Sequence, residues 1–495
     1  MNELRTNPPP GDGPLPRAIP ALVLLGVVLR LILVVLSGRS ELQSDEANYV
    51  YLGLTQQHFG VLFDQYRYLW PPFYPWLLGQ ALAHFGTDAG FAVQLLQAVA
   101  SASIGASIAA LTWRLGSARA AIVATALWAV HLPLGGYTHL LWSETLFLAL
   151  FTPALERLLA ALQTRDADRA ERRLLVAGLL LGASLWVKSF ALYLTPVLAL
   201  LVMFARRNQA GTASAVRGGT VVVLAAFVVT LPWTLRNIEV YGRPVMSGAT
   251  LGENAYVGIN ARYMNFDYVA LRRVRAQRDE DPIGALASSA LVRGPERDGV
   301  PVGPWSRADE MPHTVRRQEI QVERALDFAR AHPLWALRTR LKHVADLVTP
   351  LSFPTRHAAL GLYGDGALGR PLARYTLVLL SLVTSVIVLG GAAVGVARGL
   401  RARAGALVVL PVLGYVVASS LVLSMSRIRL PAEPLLIVLA ALALTHALEP
   451  IGAPRRERGT WVLAGVLLAA LLALWGINGR EVYAVVHEAL QGGAA

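Results

Sequence analysis

The stretch from Ile19 to Ser37, IPALVLLGVVLRLILVVLS, decides the class of fold. It is apolar over about 20 residues, which is the length needed to cross the hydrocarbon core of a bilayer. Arg30 is its one charged residue. The run is too long for the core of a secretory signal peptide and carries no small-residue cleavage site. We therefore expect an uncleaved first membrane span.

Apolar runs of similar length recur along the chain. The sequence has 495 residues, of which 55% are hydrophobic and 16% are charged, and its mean hydropathy is +0.48. A soluble protein of this length would carry about 25% charged residues. The pattern predicts an all-α polytopic membrane protein. About eleven spans are expected, near 19–37, 90–112, 119–137, 144–162, 173–187, 190–205, 217–235, 373–396, 405–424, 430–448 and 460–477.

Arginines cluster in alternate short loops between these spans. Basic residues mark the cytoplasmic side of a membrane protein, so this pattern predicts a cytoplasmic N-terminus in a plasma (inner) membrane. The net charge of +13 then reflects topology, and nucleic-acid binding is excluded as a function. The cytoplasmic segments carry Arg114, Arg119, Arg165, Arg169, Arg172, Arg173, Arg206, Arg207, Arg217, Arg398, Arg401, Arg403, Arg455, Arg456 and Arg458.

The same count places two long polar segments on the outer face. We expect a disordered N-terminus, two membrane modules, two long outer segments and an outer tail. In the first outer segment a helix is predicted from Asp45 to Phe59, lying along the surface. In the second, a flexible stretch is predicted near 279–312, and a helical pattern follows from Thr314 to Leu347 with a break at His332-Pro333. The predicted divisions are 1–18, 19–236 with its outer loop 38–89, 237–372, 373–477 and 478–495.

Acidic residues stand at two outer mouths of predicted spans. Asp45 and Glu46 follow the first span, and Glu144 opens the fourth after Trp142-Ser143. Each has a structural interpretation, because carboxylates in the first turn complement the helix dipole. Each also has a functional interpretation, as a general base or a cation ligand at the membrane surface. His139 lies near Glu144 and is a weak candidate ligand. With no cysteine in the chain, a thiolate metal site is impossible.

Basic residues fall at the same outer level. Snorkelling toward lipid headgroups explains them individually. Several of them on one face instead indicate a clamp for a phosphate. Acids beside such a clamp suit attack on a substrate linked to a lipid phosphate, because the acid activates a hydroxyl and the cations stabilise the leaving phosphate. The residues are Lys188, Arg236, Arg427 and Arg429.

Several strings together resemble the GT-C glycosyltransferases. The similarity is to the bacterial relatives of the protein O-mannosyltransferases and of the lipid A aminoarabinose transferase. It covers roughly residues 20–450. The strings are Ser44-Asp45-Glu46-Ala47-Asn48-Tyr49, Pro71-Pro72-Phe73-Tyr74-Pro75, Trp142-Ser143-Glu144-Thr145, Pro232-Trp233-Thr234-Leu235-Arg236-Asn237 with Tyr241-Gly242-Arg243 and Gly252-Glu253-Asn254, and Ser426-Arg427-Ile428-Arg429-Leu430-Pro431 with Glu433-Pro434.

The resemblance implies an inverting transferase that takes a sugar from a polyprenyl phosphate, such as undecaprenyl phosphate, on the outer face of the membrane. Asp45 would activate the acceptor, and Glu144 would assist or bind a cation. A divalent cation stays open, with Glu46, Glu144 and His139 as its weak candidate ligands. One departure is that Lys188 stands where relatives often carry arginine. The residues implied in substrate binding are Glu46, Tyr49, Tyr74, Lys188, Arg236, Arg427 and Arg429.

Two other classes of function compete with this prediction. A lipid or sugar transporter or flippase would place ionisable groups near mid-bilayer or show repeats with broken helices. Here Arg30 is the main charged residue inside a predicted span. A non-catalytic assembly partner that keeps the fold is the third reading. The sugar stays open between a pentose, a mannose-like hexose and an amino sugar, and the acceptor between lipid A, a surface polysaccharide and a protein hydroxyl.

Overall fold

A computed structural model describes residues 15–37, 42, 45–60, 69–164, 166–259, 314–361, 366–399, 403–447 and 458–491. These residues are almost entirely helical, and the described part contains no strand beyond one isolated bridge between Leu69 and Ala249. Of the N-terminal segment 1–18 that was predicted to be disordered, residues 1–14 lie outside the described residues, as does the predicted flexible stretch 279–312. The first helix begins at Ala18. The prediction of an all-α polytopic membrane protein is confirmed.

The helices are numbered here in chain order. They are α1 Ala18–Ser37, α2 Asp45–Phe59, α3 Phe73–Phe85, α4 Ala89–Leu115, α5 Ala118–Val130, α6 Leu132–Gly135, α7 Glu144–Gln163, α8 Ala167–Val187, α9 Phe190–Tyr241, α10 Leu251–Ile259, α11 Thr314–Ala331, α12 Pro333–Leu347, α13 Phe353–Ala359, α14 Pro371–Gly399, α15 Arg403–Ser420, α16 Glu433–Ala447, α17 Arg458–Ile477 and α18 Gly479–Gln491. The helix predicted from Asp45 to Phe59 is α2, and the break predicted at His332-Pro333 separates α11 from α12.

Seven described helices are long and apolar enough to cross a membrane, and a bent pair makes an eighth. The longest run, α9, divides at Gly211, whose φ of 82° is in the region that favours glycine. Each of the eleven predicted spans falls on a described helix. Three of them, 173–187, 405–424 and 430–448, fall on helices outside this apolar set, so the count of eleven stays a prediction. The seven are Ala18–Ser37, Phe73–Leu115, Glu144–Gln163, Phe190–Arg207, Gln209–Tyr241, Pro371–Gly399 and Gly459–Ile477.

The bent pair explains the charge inside the first span. The run expected as a single span near 119–137 bends by 55° between α5 and the segment Leu132–His139. The bend leaves backbone carbonyls of α5 without helical partners, which is costly in a bilayer. Arg30 of α1 donates to the carbonyls of Trp128 at 3.0 Å and Ala129 at 3.3 Å, and its guanidinium stacks on the Trp128 ring at 4.2 Å. Arg30 therefore caps a broken helix.

Candidate functional site

Four charged side chains from distant parts of the sequence form one ion-pair cluster. Asp45 begins α2, Glu144 begins α7, Lys188 lies between α8 and α9, and Arg427 lies in the turn between α15 and α16. Arg427 Nη1 lies 2.6 Å from Asp45 Oδ2, and Arg427 Nε donates to Glu144 Oε1. Lys188 Nζ lies 2.8 Å from the same Glu144 oxygen. The sequence-predicted acids and two of the predicted cations are thus brought together.

Arg427 links the two acids. Its guanidinium stacks on the Trp142 ring, 3.9 Å from the centroid, which fixes the plane of its fork. Burial by itself would lower the pKa of Arg427, but the charges of Glu144 and Asp45 raise it above the ordinary value. The cation is therefore permanent, and it presents N–H groups in a fixed direction.

The two acids have different surroundings. The Glu144 side chain is 1% exposed and holds both cations through Oε1, while its Oε2 has no hydrogen-bond partner among the described residues. The Asp45 side chain is 21% exposed and contacts Arg427 through Oδ2. Glu144 is therefore placed to hold the cations. Asp45 is the acid that an incoming molecule can reach.

Glu144 favours the charged form of Lys188. Lys188 also donates to Ser143 Oγ at 3.4 Å and lies 5.2 Å from the Phe190 ring centroid. Burial lowers the pKa of Lys188, and the negative charge of Glu144 opposes that effect. Lys188 is thus a partly buried ammonium with hydrogen-bonding capacity left for an anion.

Aromatic residues form one wall of the cluster. Tyr49 lies 3.0 Å from Ser143 Oγ through its hydroxyl, and its ring packs against Trp70 at 4.7 Å and Tyr74 at 4.8 Å. Burial raises the pKa of Tyr49 well above its ordinary value, so the phenol stays neutral. Tyr74 lies one layer further back and donates to Gln97 Oε1 at 3.0 Å. Tyr49 therefore adjoins the cluster, and Tyr74 supports it.

Glu46 and His139 tie the surrounding backbone together. Glu46 Oε1 accepts a hydrogen bond from the Leu141 amide at 2.6 Å, which joins α2 to the turn before α7. The His139 carbonyl accepts from Gln94 Nε2 at 2.7 Å. Within the described ranges no group of three His, Asp or Glu side chains is arranged to hold a metal ion. In the cluster, Arg427 and Lys188 already neutralise the two carboxylates and would repel a metal cation. These residues therefore do not fit a divalent ion.

Arg236 and Arg429 are directed elsewhere. Arg236 donates to Asn237 Oδ1 at 2.9 Å and lies over the Trp233 ring at 4.9 Å. Arg429 is 2% exposed and donates to Glu433 at 2.7 Å. It also donates to the carbonyls of Leu347 and Thr349 at 2.7 and 2.8 Å. The structure does not bring either side chain into the cluster, so their contact with substrate stays a prediction.

Comparison with known proteins finds a partial family match and similar folds. Residues 70–233 match the family model described as dolichyl-phosphate-mannose-protein mannosyltransferase, about a third of the chain. The apo oligosaccharyltransferase of Archaeoglobus fulgidus aligns with a TM-score of 0.50 at 13% identity, over 96% of this chain and 56% of that one. The fold is that of a GT-C glycosyltransferase. The resemblance predicted from the sequence is confirmed.

Two ligand-bound structures also align with this chain. One is AglB of Archaeoglobus fulgidus in complex with an inhibitory peptide and a dolichol-phosphate, with a TM-score of 0.49 and 14% identity over 97% of this chain and 56% of that one. The other is ArnT from Cupriavidus metallidurans bound to undecaprenyl phosphate, with a TM-score of 0.45 and 14% identity over 96% and 75% of the two chains. No curated protein sequence matches. The chain spans little more than half the length of AglB.

Apolar side chains within the helix bundle line two clefts. The two clefts adjoin each other and share Leu155, Leu198, Pro411 and Leu435 in their walls. The first is also lined by Tyr415, whose hydroxyl donates to the carbonyl of Ile428 at 2.7 Å. Ile428 adjoins Arg427 in sequence. One wall of the cleft is thus bonded to the turn that carries Arg427.

Sequence reasoning missed the two side chains that position the charges. Trp142 supports the Arg427 guanidinium, and Ser143 connects Tyr49 with Lys188. Both immediately precede Glu144 at the start of α7, where they were interpreted only as part of a family string. An aromatic residue beside an acid at a span mouth is a signal for a stacked cation.

Proposed function

We propose that the protein is a membrane glycosyltransferase that moves a sugar from a polyprenyl-phosphate donor, such as undecaprenyl phosphate, to an acceptor hydroxyl on the outer face of the plasma membrane. The transfer inverts the anomeric carbon, and Asp45 is the general base. One observation carries the proposal. Asp45, Glu144, Lys188 and Arg427 meet in a single cluster at the mouths of apolar helices.

The chemistry follows from the different exposure of the two acids. Asp45 accepts the proton of the acceptor hydroxyl as its oxygen forms a bond to the anomeric carbon. The bond from that carbon to the phosphate oxygen breaks on the opposite face, which inverts the carbon. The electron pair leaves with the polyprenyl phosphate. Asp45 is suited to the role because 21% of its side chain remains exposed.

The cations stabilise the charge that develops on the phosphate. Arg427 uses Nη1 and Nε on the acids, which leaves Nη2 for a phosphate oxygen. Lys188 has one strong partner, Glu144. Glu144 binds both cations at once and so sets their separation before the donor arrives. Such preorganised donors are a major source of transition-state stabilisation.

The apolar cleft supports a donor with an isoprenoid chain. Its walls from α7, α9, α15 and α16 are almost wholly aliphatic, and burial of each methylene stabilises a bound chain by about 0.8 kcal/mol. The family model names a dolichyl phosphate donor, and the aligned ArnT structure holds undecaprenyl phosphate. Each of these is a lipid phosphate.

Arginine-rich loops support the outer location. Arg114 ends α4 and pairs with Glu156 at 2.8 Å, far along α7 from Glu144. Arg206 donates to Ser214 between the two halves of α9, far from Lys188 at its other end. The cluster thus lies at the end of the bundle opposite to the basic loops, which is the outer end under the positive-inside rule.

An assay of the purified protein in detergent distinguishes an enzyme from a transporter, because detergent micelles enclose no compartment into which a substrate could be transported. Envelope glycans and polyprenyl-linked intermediates from a deletion strain, compared by mass analysis with wild type, identify the accumulated donor and the missing product. The accumulated donor is then incubated with the acceptor and the pure protein. We expect sugar transfer and release of polyprenyl phosphate. An unchanged glycan profile, or protein that is folded in detergent yet transfers no sugar, contradicts the proposal.

A further inference from the structure

The helix α12, residues 333–347, exposes a row of leucines at the end of the bundle that carries the ion-pair cluster. Leu334, Leu337 and Leu341 are 82, 67 and 59% exposed. Spacings of three and four residues place them on one face of the helix. The opposite face, with Thr339 and His343, is buried, as is the end of the helix from Ala345 to Leu347. A row this exposed is not explained by packing within the described residues.

Hydrogen bonds fix α12 across the ends of two membrane helices. Arg340 donates to the carbonyl of Leu421, just beyond the end of α15. Asn478, just beyond the end of α17, donates to the Ala345 carbonyl at 3.0 Å and accepts from Lys342 at 2.9 Å. Because both helices end at this level, α12 lies where the hydrocarbon core gives way to headgroups.

The leucine row continues an apolar surface that the neighbouring helices already present. Val417 of α15, the adjoining Leu421 and Leu472 of α17 are each about as exposed as Leu341, at 61, 59 and 62%. Leu472 lies in an apolar helix long enough to cross a membrane. The lipid-facing surface reaches α12 through Leu421. We therefore expect lipid to contact the leucine row as well.

One charge on the same face indicates what lies above the row. Arg338 is four residues after Leu334 and three before Leu341, and it is exposed. An arginine within a leucine face suits a lipid boundary, because its stem lies along acyl chains while its head reaches the phosphates. On the preceding helix, the exposed residues Arg330 and Asp327 form an ion pair 3.0 Å long, so their charges cancel. Arg338 therefore supplies a net positive charge.

We infer that α12 is a membrane-surface helix, which inserts Leu334, Leu337 and Leu341 into the adjacent lipid leaflet and holds an anionic phospholipid headgroup with Arg338. The inference does not depend on the proposed transfer reaction. It adds a contact between the bilayer and the segment that supports Arg429, because Arg429 binds the Leu347 carbonyl at the end of α12.

Site-directed spin labelling tests the insertion, and the chain has no cysteine to remove first. Leu334→Cys, Leu337→Cys and Leu341→Cys proteins are labelled in vesicles, and label collisions with oxygen and with a water-soluble nickel chelate are compared. Leu472→Cys is the lipid-facing control, and Asp327→Cys, at 72% exposure, is the water-facing control. We expect all three α12 labels to match Leu472→Cys. Labels that match Asp327→Cys, or that neither reagent reaches because protein covers them, overturn the inference.

The headgroup contact has its own readout. The Leu337→Cys label is compared in vesicles of phosphatidylcholine and of phosphatidylcholine mixed with phosphatidylglycerol. We expect the oxygen-to-nickel collision ratio to rise in the anionic mixture, and Arg338→Gln to abolish that rise. A ratio that is the same in both vesicles, or a rise that survives Arg338→Gln, contradicts the anionic contact.

Discussion

Replacement of Asp45 by asparagine separates catalysis from binding in the proposed site. Asparagine keeps the size of the side chain and removes the group that accepts a proton. General base catalysis contributes about 10²- to 10⁴-fold to a rate, so we expect kcat to fall by that factor. Arg427 keeps its bond to Glu144 in the variant, so the cation that awaits the phosphate stays in place.

The same substitution has a small expected effect on stability. The pair between Asp45 and Arg427 is 2.6 Å long, but Asp45 is partly exposed, and ion pairs of that kind contribute about 1 kcal/mol or less. The KM for the donor should not rise, because Arg427 loses a carboxylate that competes with the phosphate. A fall in kcat with KM unchanged indicates an interaction made only in the transition state.

The assay is sugar transfer at saturating acceptor, with kcat and donor KM measured separately and the thermal midpoint of unfolding recorded in detergent. Asp327→Asn is the matched control, since Asp327 is 72% exposed and its ion pair among the described residues is with Arg330 on its own helix. It should leave kcat unchanged. If the turnover of Asp45→Asn stays within about tenfold of wild type, the loss is smaller than removal of a general base causes. That result would refute the assignment of Asp45 as the base.

Three further predictions concern other parts of the molecule. Lys188→Gln should raise the donor KM by about tenfold, equivalent to about 1.4 kcal/mol. Lys188→Arg should restore most of the affinity for the donor in the same transfer assay. Equal KM values in wild type and both variants would show that Lys188 does not bind the phosphate. Arg429→Gln removes the strongest partner of the buried Glu433, which keeps only His131 Nε2 at 3.5 Å among the described residues, and it should lower the free energy of unfolding by about 3 kcal/mol. A raised donor KM with unchanged thermal stability would instead support the contact with substrate predicted from the sequence. Burial raises the pKa of Asp346 from 3.8 to about 6, so the folded state prefers the protonated acid. Stability should therefore rise as the pH falls through about 6 toward 4, by up to about 3 kcal/mol, and Asp346→Asn should flatten that part of the pH profile of the unfolding midpoint.

Hydropathy predicted the helices because each span is a contiguous apolar run, a property of neighbouring residues. Hydropathy did not predict the bend between α5 and α6, because the residues on both sides of His131 are apolar. The local signal was Pro133 at the start of α6, since a proline favours a helix break just before it. The bend persists because Arg30, about a hundred residues away in sequence, satisfies the freed carbonyls. Such a long-range contact leaves no local signal.

The location of the candidate site was predictable for a similar reason. Counting arginines in alternate loops placed Asp45, Glu144, Lys188 and Arg427 at one end of the bundle, and the structure brings them into contact. The direction of individual side chains was not predictable. Arg427 and Arg429 are two residues apart in an irregular turn, where no helical or strand period fixes the facing direction, and Arg429 binds Glu433 rather than the cluster.

The pairing of opposite charges in the cluster bears on the order of events in the proposed reaction. Two carboxylates and two cations balance each other, and Asp45 is bound to Arg427 while no donor is present. A donor phosphate that binds Arg427 competes with Asp45 for the same guanidinium, whereas Glu144 is buried and keeps its hold through Oε1. The donor therefore frees the base that the acceptor needs. Because Arg427 holds Asp45 through Oδ2 while no donor is present, we expect donor binding to precede activation of the acceptor.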